Sequence, residues 1–300
     1  KSYGRLIDIR GIESSQLLVR FENTSLLYNK LNLYREGVNS SNNELTSGYL
    51  FGERPIEYNH TDLGYAGTQN RSMVSCEFGH FWVDAKRGQV LHIPPNGQTL
   101  KEITSTMRQW FKEHLPFKIM KGGVEGLSYE ALDNNFNGLG IALGWDARFK
   151  RVFLTKKDFK VQKAYINKLK YADCVFKLIS DDSVVDLHDT EYFEECHWTA
   201  GYSPLTQSWI SYYSFTPDYY INHQNYFQTG NNTAKDVTEN GLWSHLLTNN
   251  SFQVFYGKLR PFIIETPILN KYSMSTLSSI NYWLDVRSYL DFNSLRLFCF

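Results

Sequence analysis

The feature that most constrains this chain is a turn-centred pattern that returns five times. Each copy is an apolar alternating run, a short polar turn and a second alternating run. The copies are Gln16–Tyr28, His80–Ile93, Gly140–Thr155, Trp198–Phe215 around Ser203-Pro204, and Phe252–Glu265 around Gly257-Lys258. Turn centres near Asn23, Asp84, Asp146, Ser203 and Gly257 lie 61, 62, 57 and 54 residues apart. Period-two alternation such as Phe81, Val83 then Leu91, Ile93 is what a sheet with one buried face requires. Asp, Asn and Gly supply the turn geometry, so each copy reads as a β-hairpin. A single hairpin cannot bury its own apolar face. Hairpin repeats of roughly 40 to 50 residues are how propeller blades look in sequence, the longer spacing here leaving room for insertions, and stacked blades hide their faces against each other. The same hairpins could instead build tandem β-sandwiches. The expected fold is mainly β, a set of repeated antiparallel hairpins or blades, β-propeller-like, with one or two inserted helices.

The first inserted helix is expected between Thr99 and Leu115, where Ile103, Met107, Trp110, Phe111 and Leu115 recur at spacings of three and four and Pro116 supplies the stop. Lys156–Tyr171 reads as a second helix or as a charged loop. Val161, Tyr165 and Leu169 recur every fourth residue there, among Lys157, Lys160, Lys163, Lys168 and Lys170, whose charges suggest a solvated face. Residues 36–44, rich in Ser and Asn, and 228–240, rich in Asn and Thr, read as exposed loops. Residues 1–60 then hold the first hairpin and a loop of open placement. Residues 61–300 hold the propeller-like domain, with its helical insertion near 100–115. The chain opens on Lys1 and closes on the apolar Leu297-Phe298-Cys299-Phe300, so 1–300 is expected to be a fragment of a longer polypeptide.

Thirty-one basic and 31 acidic side chains cancel, so no global field draws the chain toward nucleic acid or an anionic membrane. Any DNA contact would be local. Aromatic residues make up 16% of the chain, which favours strands and partner surfaces. Cys76, Cys174, Cys196 and Cys299 are far apart in sequence and form no zinc-ligand or disulfide pattern. No apolar run approaches the roughly 20 residues of a membrane span, so no membrane insertion is expected. The eight histidines show no metal-hydrolase spacing, and neither a nucleophile elbow nor a phosphate loop is present.

Two constellations could carry chemistry. Asp133, Asn135 and Asn137, followed by Gly138, match the first half of a calcium loop. The acid required at the twelfth position is Gly144, so an Asn-rich turn is the simpler reading and no metal or cofactor is expected. Asp189, Glu191, Glu194 and Glu195 cluster just before the fourth hairpin and are the only candidates for a glycosidase acid pair; exposed acids at a strand entrance account for them equally. No catalytic residue is assigned, and the chain is read as non-enzymatic. The densest aromatic block holds Trp209, Tyr212, Tyr213, Tyr219 and Tyr220, with Trp243 beyond it. These are the candidate interface residues, with core or subunit packing favoured over a sugar-stacking platform.

Several runs resemble a known family. They are Tyr192-Phe193-Glu194, Trp198-Thr199-Ala200, Tyr202-Ser203-Pro204, Trp209-Ile210-Ser211-Tyr212-Tyr213-Ser214-Phe215, Gly241-Leu242-Trp243-Ser244-His245 and Phe255-Tyr256-Gly257-Lys258. Phe81-Trp82-Val83-Asp84-Ala85-Lys86-Arg87-Gly88 and Asp146-Ala147-Arg148-Phe149-Lys150-Arg151 belong with them. Together they resemble the tail "stabilization", or muzzle, proteins of crAss-like short-tailed bacteriophages over most of residues 65–290. The resemblance implies a structural virion protein, a subunit of the distal nozzle ring around the DNA exit channel that supports genome retention and ejection. It also implies copies of itself in a six-fold ring, contacts with tail hub and fibre proteins, and transient passage of double-stranded DNA. A host-glycan adhesin and a propeller glycosidase are the alternatives.

Overall fold

The computed structural model describes residues 3–13, 16–29, 55–58, 66–95, 99–246, 253–261 and 263. The Ser- and Asn-rich stretch 36–44, both flanks of the fifth hairpin and the C-terminal residues lie outside them. The described chain is mainly β and antiparallel. The first sheet is β1 (Leu6–Glu13), β2 (Gln16–Phe21), β3 (Ser25–Asn29) and β4 (Ile56–Glu57), neighbours in that order. The second repeats the meander with β5 (Met73–Cys76), β6 (Gly79–Asp84), β7 (Gln89–Ile93) and β8 (Lys101–Glu102), after which comes helix α1 (Arg108–His114).

The third sheet opens with β9 (Gly140–Asp146) and β10 (Arg151–Lys157). The chain then leaves it through β11 (Phe159–Val161), β12 (Leu169–Ala172), β13 (Val175–Leu178), β14 (Val184–Val185) and β15 (Phe193–Glu195). It returns as β16 (Trp198–Ser203) and β17 (Ser208–Tyr213), giving the order β17-β16-β10-β9. In the excursion β11 pairs with β15, and β12, β13 and β14 form a small sheet. The fourth sheet is β18 (Tyr219–Asn222), β19 (Phe227–Asn231) and β20 (Gly241–His245), followed by the two-stranded β21 (Val254–Phe255) and β22 (Lys258–Leu259).

Four of the five expected hairpins form, as β2–β3, β6–β7, β9–β10 and β16–β17, and of the fifth the described residues show its centre, the two-residue strands β21 and β22. They are not equivalent units. The third and fourth are the two halves of one sheet, so the spacing between them measures the excursion and not one blade.

The expectation of one buried face per sheet needs correcting for the middle of the molecule. Val74, Phe81, Val83 and Val90 of the second sheet share a core with Ile141, Leu143, Trp145, Val152 and Leu154 of the third. Met73, Trp82, Leu91 and Ile93, on the opposite face, pack with Leu18 and Leu27 of the first. Phe153 points out of the other face of the third sheet to meet Phe227 of the fourth, together with Phe215 and Tyr256. Every residue of β6 and β9 is therefore buried, because alternate side chains enter two different cores. The four sheets lie face to face in a row, which does not close on itself among the described residues.

The predicted helix over 99–115 shrinks to α1 plus a 3-10 turn at Ser105–Met107, because Lys101 and Glu102 pair with β7 as β8. Phe111 and Leu115 are buried, and the helix stops before Pro116 as expected. No second helix spans Lys156–Tyr171. That segment finishes β10, forms β11, makes a 3-10 turn at Lys163–Tyr165 and enters β12. Its fourfold apolar spacing belongs to three separate short elements. Of the 228–240 loop, residues up to Asn231 belong to β19, and a 3-10 turn spans Val237–Glu239.

Candidate functional site

The first strands β5, β9 and β18 lie side by side. β5 and β9 are edge strands, each exposing unpaired backbone groups. Side chains from neighbouring sheets satisfy them. The Leu143 amide donates to Ser72 Oγ and the Trp145 amide to Asn222 Oδ1, both at 2.9 Å. Arg10 and the fully buried Arg20 donate to the carbonyls of Arg71, Ser72 and Met73 at 2.9–3.4 Å. Arg20 Nη2 also meets Asp8 Oδ2 at 2.5 Å. This seam joins one sheet to the next through backbone that would otherwise need water.

Two buried ion pairs reinforce the row. Lys156 and Lys157 are consecutive in β10 and so point to opposite faces of the third sheet. Lys156 Nζ meets Asp158 Oδ2 at 2.7 Å and the carbonyls of His114 and Pro116 at 2.8 and 3.0 Å, fastening the end of α1. Lys157 Nζ meets Asp218 Oδ1 at 2.6 Å, with Asn231 and Thr233, fastening the fourth sheet. Burial pulls both ammonium groups below the usual lysine range, against the pull of their aspartates. Lys157 was expected on a solvated face and is instead buried. Neither pair was foreseen; the signal was there in Lys156-Lys157-Asp158 at the end of an apolar alternating strand.

Trp209, Tyr212, Tyr213 and Tyr220 divide between the two faces of the third sheet, and Tyr219 and Trp243 belong to the fourth. Trp209 packs on Phe111 and Tyr202 with ring centroids at 4.6 and 5.3 Å, and its indole donates to the Ile103 carbonyl. Tyr212 leans on Trp110 and stays 55% exposed. On the opposite face Tyr213 accepts from Arg151, and Tyr220 bonds to Thr155 Oγ1 at 2.6 Å while stacking on Phe153. Burial holds the Tyr220 phenol well above its usual range. Tyr219 covers Gly230, and Trp243 meets Tyr256 and donates to the Glu239 carbonyl. Apart from Tyr212, these rings are packed into cores or against backbone and are not aligned as an open platform.

The acids of 189–195 sit on the excursion, each beside a local partner: Glu191 with Tyr165, Glu194 with Lys160 at 2.9 Å and Glu195 with His188 at 3.0 Å. The Asp189 carboxylate accepts the Glu191 amide. Asp133 accepts the Arg71 amide and is pushed up to about 6 by burial. Asn135 and Asn137 form a 3-10 turn into β9, with Asn135 Nδ2 bonded to the Ile141 carbonyl. Among the described residues no group of three or more His, Cys, Asp or Glu could hold a metal ion. His92 is opposite Phe81 and stacks on it, and His80 points out of the other face.

Strand alternation gives the row two unlike ends. Short turns at 77–78, 147–150, 204–207 and 223–226 occupy one end. The other end carries the two long connections among the described residues, 103–139 and 158–197. These merge: the Tyr171 amide donates to the Glu125 carbonyl, the Asn167 amide to the Gly122 carbonyl, and Asp158 accepts the Lys118 amide. No helix among the described residues is long and apolar enough to cross a membrane. Neither a scan against protein-family models nor a search of curated proteins finds a match.

Proposed function

We propose that this chain is a structural, non-enzymatic subunit of a bacteriophage tail, its sheets being propeller blades in the distal muzzle ring around the DNA exit channel. The observation that carries the reading is the row itself. Successive antiparallel sheets meander away from first strands that lie side by side, and the middle sheets are buried on both faces. A propeller repeats that arrangement about its axis, whereas a two-layer sandwich leaves one face of each sheet to solvent. The residue runs that resemble crAss-like phage muzzle proteins lie in β6, β15, β16, β17, β20 and β21, in the turn between β9 and β10 and in the turns beside these strands. The partners that follow are further copies in a six-fold ring, tail hub and fibre proteins, and DNA in passage. The merged connections at one end offer a contact surface, with Ile166, Ile179 and Val184 exposed on it. Rivals based on sugar stacking or paired acids draw little support, since Trp209, Tyr213, Tyr220 and Trp243 are engaged in packing and the acids of 189–195 in local pairs. Light scattering on the purified protein tests the proposal. A mass several times that of one copy is expected, and a stable monomer at micromolar concentration contradicts it.

A further inference from the structure

Sheet edges are aggregation hazards that proteins blunt by shortness, charge or cover. This molecule blunts most of its edges visibly. The first-strand edges of the second and third sheets are capped by Arg10, Arg20, Ser72 and Asn222. The outer strands β4 and β8 have two residues each, and β8 is a lysine and a glutamate. The edge of the fourth sheet has the β21–β22 hairpin beside it, with Tyr256 against Trp243 and Phe255 against His245.

The outer edge of the third sheet is different. β17 has six residues, Ser208-Trp209-Ile210-Ser211-Tyr212-Tyr213, none of them charged, and no strand pairs with its far side among the described residues. Ile210 is 45% exposed and Tyr212 55%. A register shift between Gly201 and Tyr202 leaves Ile210 as the extra residue of a bulge, so pairing on the free side would be set by the stretch after it. Beside this edge is a cavity of about 140 Å³, lined by Met107, Phe111, Ala200 and the β17 residues Trp209 to Tyr212. Its lining is uncharged and its floor, Phe111 and Ala200, is buried. An apolar cavity of roughly 150 Å³ accepts a benzene-sized group.

We propose that β17 is a strand-acceptor site, at which an extended, uncharged segment of another protein adds a fifth strand to the third sheet and inserts one leucine- or phenylalanine-sized side chain between α1 and β17. The unpaired backbone calls for an extended chain. The cavity calls for one apolar side chain, and the absence of charge on edge and lining selects against a charged segment. Main-chain hydrogen bonds give affinity in such complexes and side-chain pockets give specificity. This goes beyond the ring assignment and stands without it, since the site is complete within one chain.

The test is fluorescence anisotropy with a labelled heptapeptide of alternating threonine and valine carrying a central leucine. Saturable binding is expected, weakened about ten-fold or more when the central leucine is replaced by aspartate. Ile210→Lys and Tyr212→Lys alter exposed side chains, and each should weaken binding similarly while circular dichroism shows the fold retained. Equal binding of the leucine and aspartate peptides, no saturable binding, or binding indifferent to both folded variants overturns the proposal. So does self-association of the chain that Ile210→Lys abolishes, because the occupant is then a second copy. The mass of the protein in solution is a separate readout, so failure here and failure of the ring reading are distinguishable.

Discussion

At the residue scale, stability is concentrated in a few buried polar groups. Asp218 accepts the Asn232 and Thr233 amides as well as Lys157, so removing its charge strands a buried ammonium. Breaking one side of such a pair costs about 3–5 kcal/mol. Asp218→Asn should lower the urea midpoint accordingly, and Lys157→Met with Asp218→Leu should recover much of the loss. Acid should act through two histidines. Burial, with Lys157 beside the first, pushes His197 from 6.5 down to about 4, and burial does the same to His245. Both folded values lie below the unfolded one, so the unfolded chain takes up protons first. Their contribution is complete above pH 6.5 and lost as pH falls toward 4, on the order of 2–3 kcal/mol each. Asp133, raised to about 6, acts in the opposite sense and offsets part of that loss. Urea titrations at pH 7 and pH 4.5 should show the fall, and His245→Gln should remove about half of the histidine contribution to it.

At the scale of elements, the sheets depend on how closely neighbours approach. A Cβ on Gly144 would lie 2.3 Å from the Tyr220 ring, whereas one on Gly11 would meet nothing within 4 Å. Gly144→Ala should cost about 1–3 kcal/mol by overpacking the junction of the third and fourth sheets. Gly11→Ala should be neutral within about 0.5 kcal/mol, and thermal melts of both variants check the contrast. The hairpins were legible in the sequence because period-two alternation and turn residues are local signals, as Phe81-Trp82-Val83 and Gly88 illustrate. The excursion between β10 and β16 was not, because β11 pairs with β15 across more than thirty residues and nothing local announces it. Lys157 read as part of a solvated charge run because its partner Asp218, just before β18, is 61 residues away and is brought beside it only by the packing of the fourth sheet on the third. The aromatic block was legible as packing material, but which rings share a face depends on the bulge at Ile210.

At the scale of the molecule, burial of both faces of the middle sheets makes the row a stiff stack, with seam bonds along the first strands and merged connections at one end. A body of that kind suits work by geometry, consistent with the proposed place in a tail ring. Each sheet end face left unpaired in such a row is where a neighbouring unit would continue it. The most direct measurement is electron microscopy of the purified protein, with class averages resolved well enough to count subunits. The account predicts a closed annulus around an open channel, with propeller-shaped density in each subunit. Single particles without rotational symmetry, or a ring whose subunits show two-layer sandwiches, would contradict it.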